Sequence, residues 1–308
     1  MLEPLLERFR RRERRALARL LSLVARGDHV ADILAALGPA SRQARVVAVT
    51  GSGGVGKSTL VGKLIEQARA HGQTIAVLAC DPQSPLSGGA LLGDRFRMPV
   101  REGDDGVFIR SLATAGGRGA VAEHLDAMVR VLEAFGFDLV LIETVGAGQG
   151  DTAVRDLADV VVLLLQPETG DDLQWEKAGV LEVADVIVIH KADLPGAERA
   201  EAQVRTMLAL SRREAPPVLR VSAKAGAGIG QLWDMVSARP LRRDASRDGV
   251  TDLLRLSQEV LGERFAAALV AGDPDLGRLA AEWRQGKLPR KQAATAVWDL
   301  LQSRYGGR

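Results

Sequence analysis

The sequence predicts an α/β fold: a mostly parallel sheet with helices on both faces, a helical lead-in before it and a helical extension after it. Three observations carry this. Between residues 44 and 240, seven short runs rich in Val, Ile and Leu alternate with stretches of helical period, as expected of strands buried on both faces and joined by helical crossovers. Outside those limits the runs vanish and only the helical period remains. The first run passes without a linker into Gly51-Ser52-Gly53-Gly54-Val55-Gly56-Lys57-Ser58-Thr59, so that strand, glycine-rich turn and helix succeed one another.

Length and composition bound the possibilities. A chain of 308 residues with 46% hydrophobic content supports one large core and a smaller appended unit. Its 41 basic and 39 acidic residues leave a net charge of +2, which gives no global case for a nucleic-acid or membrane surface. No apolar run is long enough to span a bilayer. The single cysteine, Cys80, excludes an intramolecular disulfide and suits a reducing cytoplasm.

In chain order, residues 1–43 read as two short helices, the second stopped near Leu37-Gly38-Pro39. The basic run Arg8 to Arg15 is interleaved with Leu5, Leu6, Phe9, Leu17, Leu20 and Leu21, so it reads as the wet face of an amphipathic helix. Glu3, Glu7 and Glu13 argue against a transit peptide. The expected strands are Val46 to Val49, Ile75 to Ala79, Phe108 to Ser111, Leu139 to Ile142, Val160 to Leu165, Val186 to Ile189, and Val218 to Val221. After Arg239-Pro240 the chain is polar to Asp248, and residues 241–308 read as helices broken at Gly272-Asp273-Pro274 and at Gly286 to Pro289. There is no internal repeat.

The glycine-rich turn fits G-x-x-x-x-G-K-[ST] with Gly51, Gly56, Lys57 and Ser58. Glycines let successive backbone N–H groups turn toward a nucleotide's phosphates. Lys57 supplies a cation for the outer phosphates, Ser58 a hydroxyl for Mg²⁺, and the helix N-terminus favours the anion. In a parallel sheet, ligands sit at the carboxyl ends of strands, so the residues ending the other runs are the next candidates. Asp81 ends the second run, Asp94 follows the glycine-containing loop Ser87 to Gly93, and Glu143 ends the fourth run ahead of Gly146. Carboxylates delivered there suit Mg²⁺ coordination or the orientation of an attacking water. His190-Lys191-Ala192-Asp193 ends the sixth run and Ser222-Ala223-Lys224 the seventh. An aspartate there can accept from the ring N–H and exocyclic amine of guanine, and the stem of Lys191 can lie along the base. Cys80 reads as a small buried hydrophobe, Trp233 as core, and His29, His71 and His124 lack ligand spacing. Trp175 reads equally well as a partner contact and as packing.

With these motifs in place, the chain resembles the MeaB and methylmalonic aciduria type A protein family of P-loop GTPases, in the SIMIBI class alongside the nickel chaperones. The matching stretches are Gly51 to Thr59, Asp81-Pro82 through Leu92-Gly93-Asp94, Glu143 to Gln149, Gly170-Asp171-Asp172-Leu173-Gln174, Lys191 to Asp193, and Ser222-Ala223. The resemblance implies GTP/GDP as ligand and Mg²⁺ held among Ser58, Asp81, Asp94 and Glu143. It also implies a homodimer built by the C-terminal helices, and an adenosylcobalamin-dependent acyl-CoA mutase as partner, with no cobalamin bound by this chain itself. By position, Gln166 to Lys177 becomes the segment coupling nucleotide state to the mutase, with Gly170, Asp171, Asp172, Gln174 and Lys177 as its marked residues.

Two positions depart from the family pattern. His190 stands where the family has asparagine, and Ser52-Gly53-Gly54 replaces a proline-containing phosphate loop. Histidine can donate one hydrogen bond toward the base but cannot donate and accept as an amide does, so weaker guanine preference is expected. Two other readings share the phosphate loop: a metallochaperone delivering nickel or another transition metal, and a small-molecule kinase or ATPase.

Overall fold

The computed structural model describes residues 2–82, 104–114, 124–144, 154–167, 181, 183–209, 215–242 and 249–305. It divides into two compact units, Met1–Arg243 and Asp244–Arg308.

In the first unit, seven strands form one sheet: β1 (Arg45–Gly51), β2 (Ile75–Pro82), β3 (Val107–Thr114), β4 (Leu139–Glu143), β5 (Val160–Leu165), β6 (Val186–His190) and β7 (Val218–Val221). All pairings are parallel, and the order is β3-β2-β4-β1-β5-β6-β7. Every apolar run expected to be a strand is one. Their β-branched, two-sided apolar composition has the packing that explains it, since successive residues of β1 face opposite layers. Val46 and Ala48 join the core beneath α2 (Arg14–Ala25) and α5 (Leu125–Phe135), while Val47 and Val49 join the core beneath α4 (Lys57–Ala70) and α8 (Ile229–Ala238). A third cluster packs Leu163, Leu165, Ile187 and Ile189 against α7 (Ala197–Ala209). A short helix, α6 (Val154–Leu157), precedes β5.

The lead-in departs from expectation. Three helices, not two, precede β1: α1 (Leu2–Arg10), α2, and α3 (Val30–Leu37). The first break falls at Arg11-Arg12-Glu13, where no Gly or Pro announces it. Arg12 takes a left-handed φ of 63° there, with its guanidinium 5.5 Å from the centroid of the Phe135 ring on α5. A tertiary cation–π contact thus helps hold a turn that local propensity leaves unmarked. The basic run Arg8 to Arg15 is therefore not the face of one helix but spans the break between α1 and α2, while Leu6, Phe9, Leu17, Leu20 and Leu21, interleaved with it, are buried as expected.

At the amino ends of the strands, two buried carboxylates fasten the end of this unit. Asp159 accepts from the backbone N–H of Val46 and of Arg242, each at 2.8 Å. Asp185 accepts from the backbone N–H of Val161 at 2.9 Å and pairs with Arg155 and Arg242.

The second unit consists of α9 (Gly249–Val270), α10 (Pro274–Arg284) and α11 (Arg290–Tyr305) around Ala268, Leu276, Leu300 and Leu301. Asp273 caps α10, accepting from the N–H groups of Asp275 and Leu276, and also receives Arg304 and the Tyr305 hydroxyl at 3.0 Å. An apolar groove of about 630 Å³ opens among Phe265, Leu269, Trp283 and Val297. Leu269 and Trp283 are each 60% exposed beside it.

Candidate functional site

The parallel sheet brings the carboxyl ends of its strands to one edge, and the site is built there. β1 supplies the phosphate loop. Gly51 has φ 147°, and a Cβ on it would lie 2.5 Å from the carbonyl oxygen of Leu164 on β5, so a side chain is excluded. Gly56 closes the loop at φ 99° and, having no side chain, offers no cap to α4, which begins at the next residue. The positive end of the helix dipole there favours an anion such as a phosphate group.

Lys57 folds over this loop. It is 8% exposed, and its Nζ donates to the carbonyls of Gly51 at 2.9 Å and Ser52 at 3.1 Å. Its ammonium is therefore already held above the turn that would cradle a polyphosphate. Ser58, one residue on, donates from Oγ to Oε1 of Glu143 at 2.7 Å, with both residues buried. The register explains the meeting: Glu143 is the last residue of β4 and pairs with Val49 of β1. Next to it, the Thr144 hydroxyl donates to that of Thr50 at 3.0 Å, locking the two strand ends together. Glu143 also pairs with Ala79 of β2, so the backbone of Asp81 stands two residues further along the adjacent strand. The Asp81 side chain and Asp94 lie outside the described residues, as do Gly170, Asp171, Asp172, Gln174 and Lys177.

Ser58 Oγ and Glu143 Oε1 are hard oxygen donors. Mg²⁺ takes such ligands one or two at a time, beside phosphate oxygens and water, so the residues present fit that ion. Among the described residues, no group of three or more His, Cys, Asp or Glu converges as a metal cluster.

On the other side of β1 stand the loops after β6 and β7 that are expected to read the base. His190 is 3% exposed, and its Nδ1 lies 2.7 Å from the Val55 carbonyl of the phosphate loop. A carbonyl only accepts, so Nδ1 carries the proton and donates. Nε2 is then an acceptor, and it is buried without a hydrogen-bond partner among the described residues. Burial is the main cause that lowers the His190 pKa below its ordinary value, aided by the charge of Lys191 and opposed by the Val55 bond and by Asp193. The ring stays neutral near pH 7. It also packs on Gly56, where a Cβ would lie 2.6 Å from its Cε1. The single hydrogen bond expected toward the base is instead made to the phosphate loop's backbone, because the Val55 carbonyl lies within reach of Nδ1.

Asp193 accepts from the Ser222 hydroxyl at 2.5 Å, and that donor is the first cause holding its carboxyl below the usual range, followed by its own backbone N–H. Ser222 is fixed in turn by its backbone N–H to the Ala227 carbonyl at 3.0 Å, and its Oγ accepts from the Ala225 N–H at 3.1 Å. Ala223 is buried and Lys224 exposed in this turn, with the charge of Lys224 also favouring the ionised Asp193. The structure therefore brings the described site residues into two groups flanking β1: Lys57, Ser58 and Glu143 toward β4, and His190, Lys191, Asp193 and Ser222 toward β6 and β7.

Two contacts had no signature in the sequence. One is the His190 bond to the phosphate loop. The other joins Lys191 Nζ to Oε1 of Gln166, the residue following β5, at 2.9 Å. No spacing rule connects positions 25 residues apart on neighbouring strands; only the sheet order does.

The family model described as "Methylmalonyl Co-A mutase-associated GTPase MeaB" matches residues 17–262. The chain belongs to the MeaB family. It is a P-loop GTPase. Among its relatives, a probable GTPase of Mycobacterium tuberculosis is 41% identical over 260 residues, covering 80% of this chain and 77% of that protein. A protein of Nocardia farcinica named "Fused isobutyryl-CoA mutase" is 38% identical over 266 residues, covering 85% of this chain and 23% of the relative. The solved structure of a protein titled "LAO/AO transport system kinase" superposes with a TM-score of 0.69 at 25% identity, covering 98% of this chain and 97% of that one. The α/β sheet and the flanking helices at both ends are thus this MeaB-family fold. No helix among the described residues is long and apolar enough to cross a membrane.

Proposed function

We propose that this MeaB-family GTPase is a chaperone for an adenosylcobalamin-dependent acyl-CoA mutase, methylmalonyl-CoA mutase or a relative, and that its nucleotide state gates cofactor loading and rescue. The observation that carries this reading is the relative in which a stretch matching 85% of this chain occurs within a protein named as a fused mutase. A domain found in one polypeptide with a mutase has a ready partner when it stands alone. The family description, a mutase-associated GTPase, supports the same partner.

In this reading the uncapped N-terminus of α4 and the loop N–H groups bind the phosphates. Lys57 exchanges its two carbonyl contacts for the outer phosphates. Ser58 and Glu143, with Asp81 and Asp94, hold Mg²⁺, which when bound neutralises charge on the leaving and attacked phosphates. Asp193 reads guanine. The segment containing Gly170, Asp171, Asp172, Gln174 and Lys177 carries nucleotide state to the mutase. The exposed apolar face around Leu269 and Trp283 supports a homodimer through the C-terminal helices, because such a patch is costly to leave in water. Cobalamin stays with the mutase, and the pair works in the cytoplasm without nucleic acid or membrane. The absence of a His/Cys/Asp/Glu cluster among the described residues gives the metallochaperone alternative no footing there.

The test is co-purification of a cobalamin-dependent mutase with this protein in a non-hydrolysable GTP analogue, together with acceleration of a slow intrinsic GTPase by that mutase. A fast hydrolysis rate that no mutase alters overturns the chaperone reading.

A further inference from the structure

Lys191 sits in a conformation that must be held. Its φ is 55°, in the left-handed region that L-residues other than Gly, Asn and Asp seldom occupy. Such a residue persists where its surroundings over-determine it. Two backbone bonds contribute, Ala192 N–H to the Val221 carbonyl at 3.1 Å and Leu194 N–H to the Lys191 carbonyl at 2.9 Å. The side chain adds a third anchor, Nζ to Gln166 Oε1 at 2.9 Å.

That anchor follows from the sheet. β5 and β6 are adjacent, with Leu165 paired to Ile189, so Gln166 emerges at the same edge as His190 and Lys191. Lysine has four methylenes and loses much rotamer freedom when ordered. A stem intended as a flat support for a purine base has to be extended and still before the base arrives. A neutral amide oxygen is suited to this, because it fixes the ammonium by a charge-assisted bond without cancelling its charge.

We infer that Gln166 is a positioning residue of the base pocket, acting through Lys191 to set how tightly and how selectively a guanine nucleotide binds. This rests on the guanine-nucleotide reading above and adds to it a residue outside the base loop.

The experiment measures GDP, ADP and Mg²⁺–tripolyphosphate binding by calorimetry on the full chain and on Gln166→Ala, Gln166→Glu, Lys191→Ala and the Gln166→Ala/Lys191→Ala double variant. A lost charge-assisted bond of this kind corresponds to roughly tenfold. Gln166→Ala should weaken GDP by about that factor while leaving tripolyphosphate and the melting temperature unchanged. Gln166→Glu keeps an acceptor for the stem and should bind GDP more tightly than Gln166→Ala. The double variant should bind GDP no worse than Lys191→Ala alone, because the glutamine has nothing left to position. Equal loss of GDP and tripolyphosphate, unchanged GDP affinity in Gln166→Ala, or additive losses in the double variant would each overturn the inference. If the unaltered chain binds ADP as well as GDP, the guanine reading itself fails, which is a distinct result from any of those.

Discussion

Replacing Gly56 by alanine should damage the site through His190 as much as through the backbone. Gly56 has φ 99° and ψ 28°, and its Cβ would stand 2.6 and 2.7 Å from Cε1 and Nδ1 of the imidazole. Holding an L-residue at such a φ costs about 1–2 kcal/mol. The clash adds about 1–3 kcal/mol, the usual range for overpacking a closed site. The ring has little freedom to yield, since it is 3% exposed and bonded to Val55 at 2.7 Å. The sum, about 3 kcal/mol, predicts a melting temperature lower by roughly 6–12 °C for a unit of this size, with weaker GDP binding. The two parts separate in a double-mutant cycle. His190→Ala alone removes a hydrogen bond and leaves a cavity, but in its presence Gly56→Ala should cost only the backbone part. A coupling energy of about 1–3 kcal/mol is therefore expected. Thermal unfolding monitored by circular dichroism on the four proteins decides it. Strict additivity, or a Gly56→Ala protein as stable as the parent, refutes the packing argument.

Lys57→Ala should lower GTP turnover by at least about a hundredfold, the scale of losing one preorganised electrostatic contact, with single-turnover hydrolysis as the check. Asp193→Asn should weaken GTP by about a hundredfold and favour xanthosine triphosphate, read by competition against a fluorescent guanine nucleotide. The low pKa of His190 has a signed consequence. As pH falls, the unfolded chain takes up this proton first, around the ordinary value of 6.5, so the neutral ring's contribution to stability is complete above that pH and is lost progressively below it. His190→Asn should remove that step from a pH series of unfolding midpoints, and with an amide's second hydrogen bond available it should bind GTP more tightly than the parent.

Much of this molecule was legible before any coordinates. All seven strands announced themselves, because strands buried on both faces must be apolar throughout and the crossovers between them must be helical. The phosphate loop was legible because its chemistry demands glycine at fixed offsets from Lys57. The order of strands leaves no spacing in the chain. Gln166 meets Lys191 because β5 lies beside β6, which nothing in the sequence announces, whereas the meeting of Ser58 with Glu143 across β1 and β4 is expected only through the family resemblance. The break at Arg12 was missed for a related reason, since its partner Phe135 is more than a hundred positions away. The bond from His190 to Val55 was similarly hidden, although the residue itself drew notice as a departure from the family's asparagine.

The central position of β1 has a consequence for how such a protein can change over generations. Glu143 of β4, with Ser58, lies to one side of it and the β6 and β7 loops proposed to read the base lie to the other, and β4 pairs with neither β6 nor β7. On the proposed reading, changes of nucleotide preference and changes of phosphate binding fall on opposite sides of β1. The hinge between these two inheritances is the contact of His190 with Val55 and Gly56. A lineage that exchanges asparagine for histidine there commits its phosphate loop as well: once the larger ring is seated, any side chain at position 56 is closed to later drift until the histidine is given up.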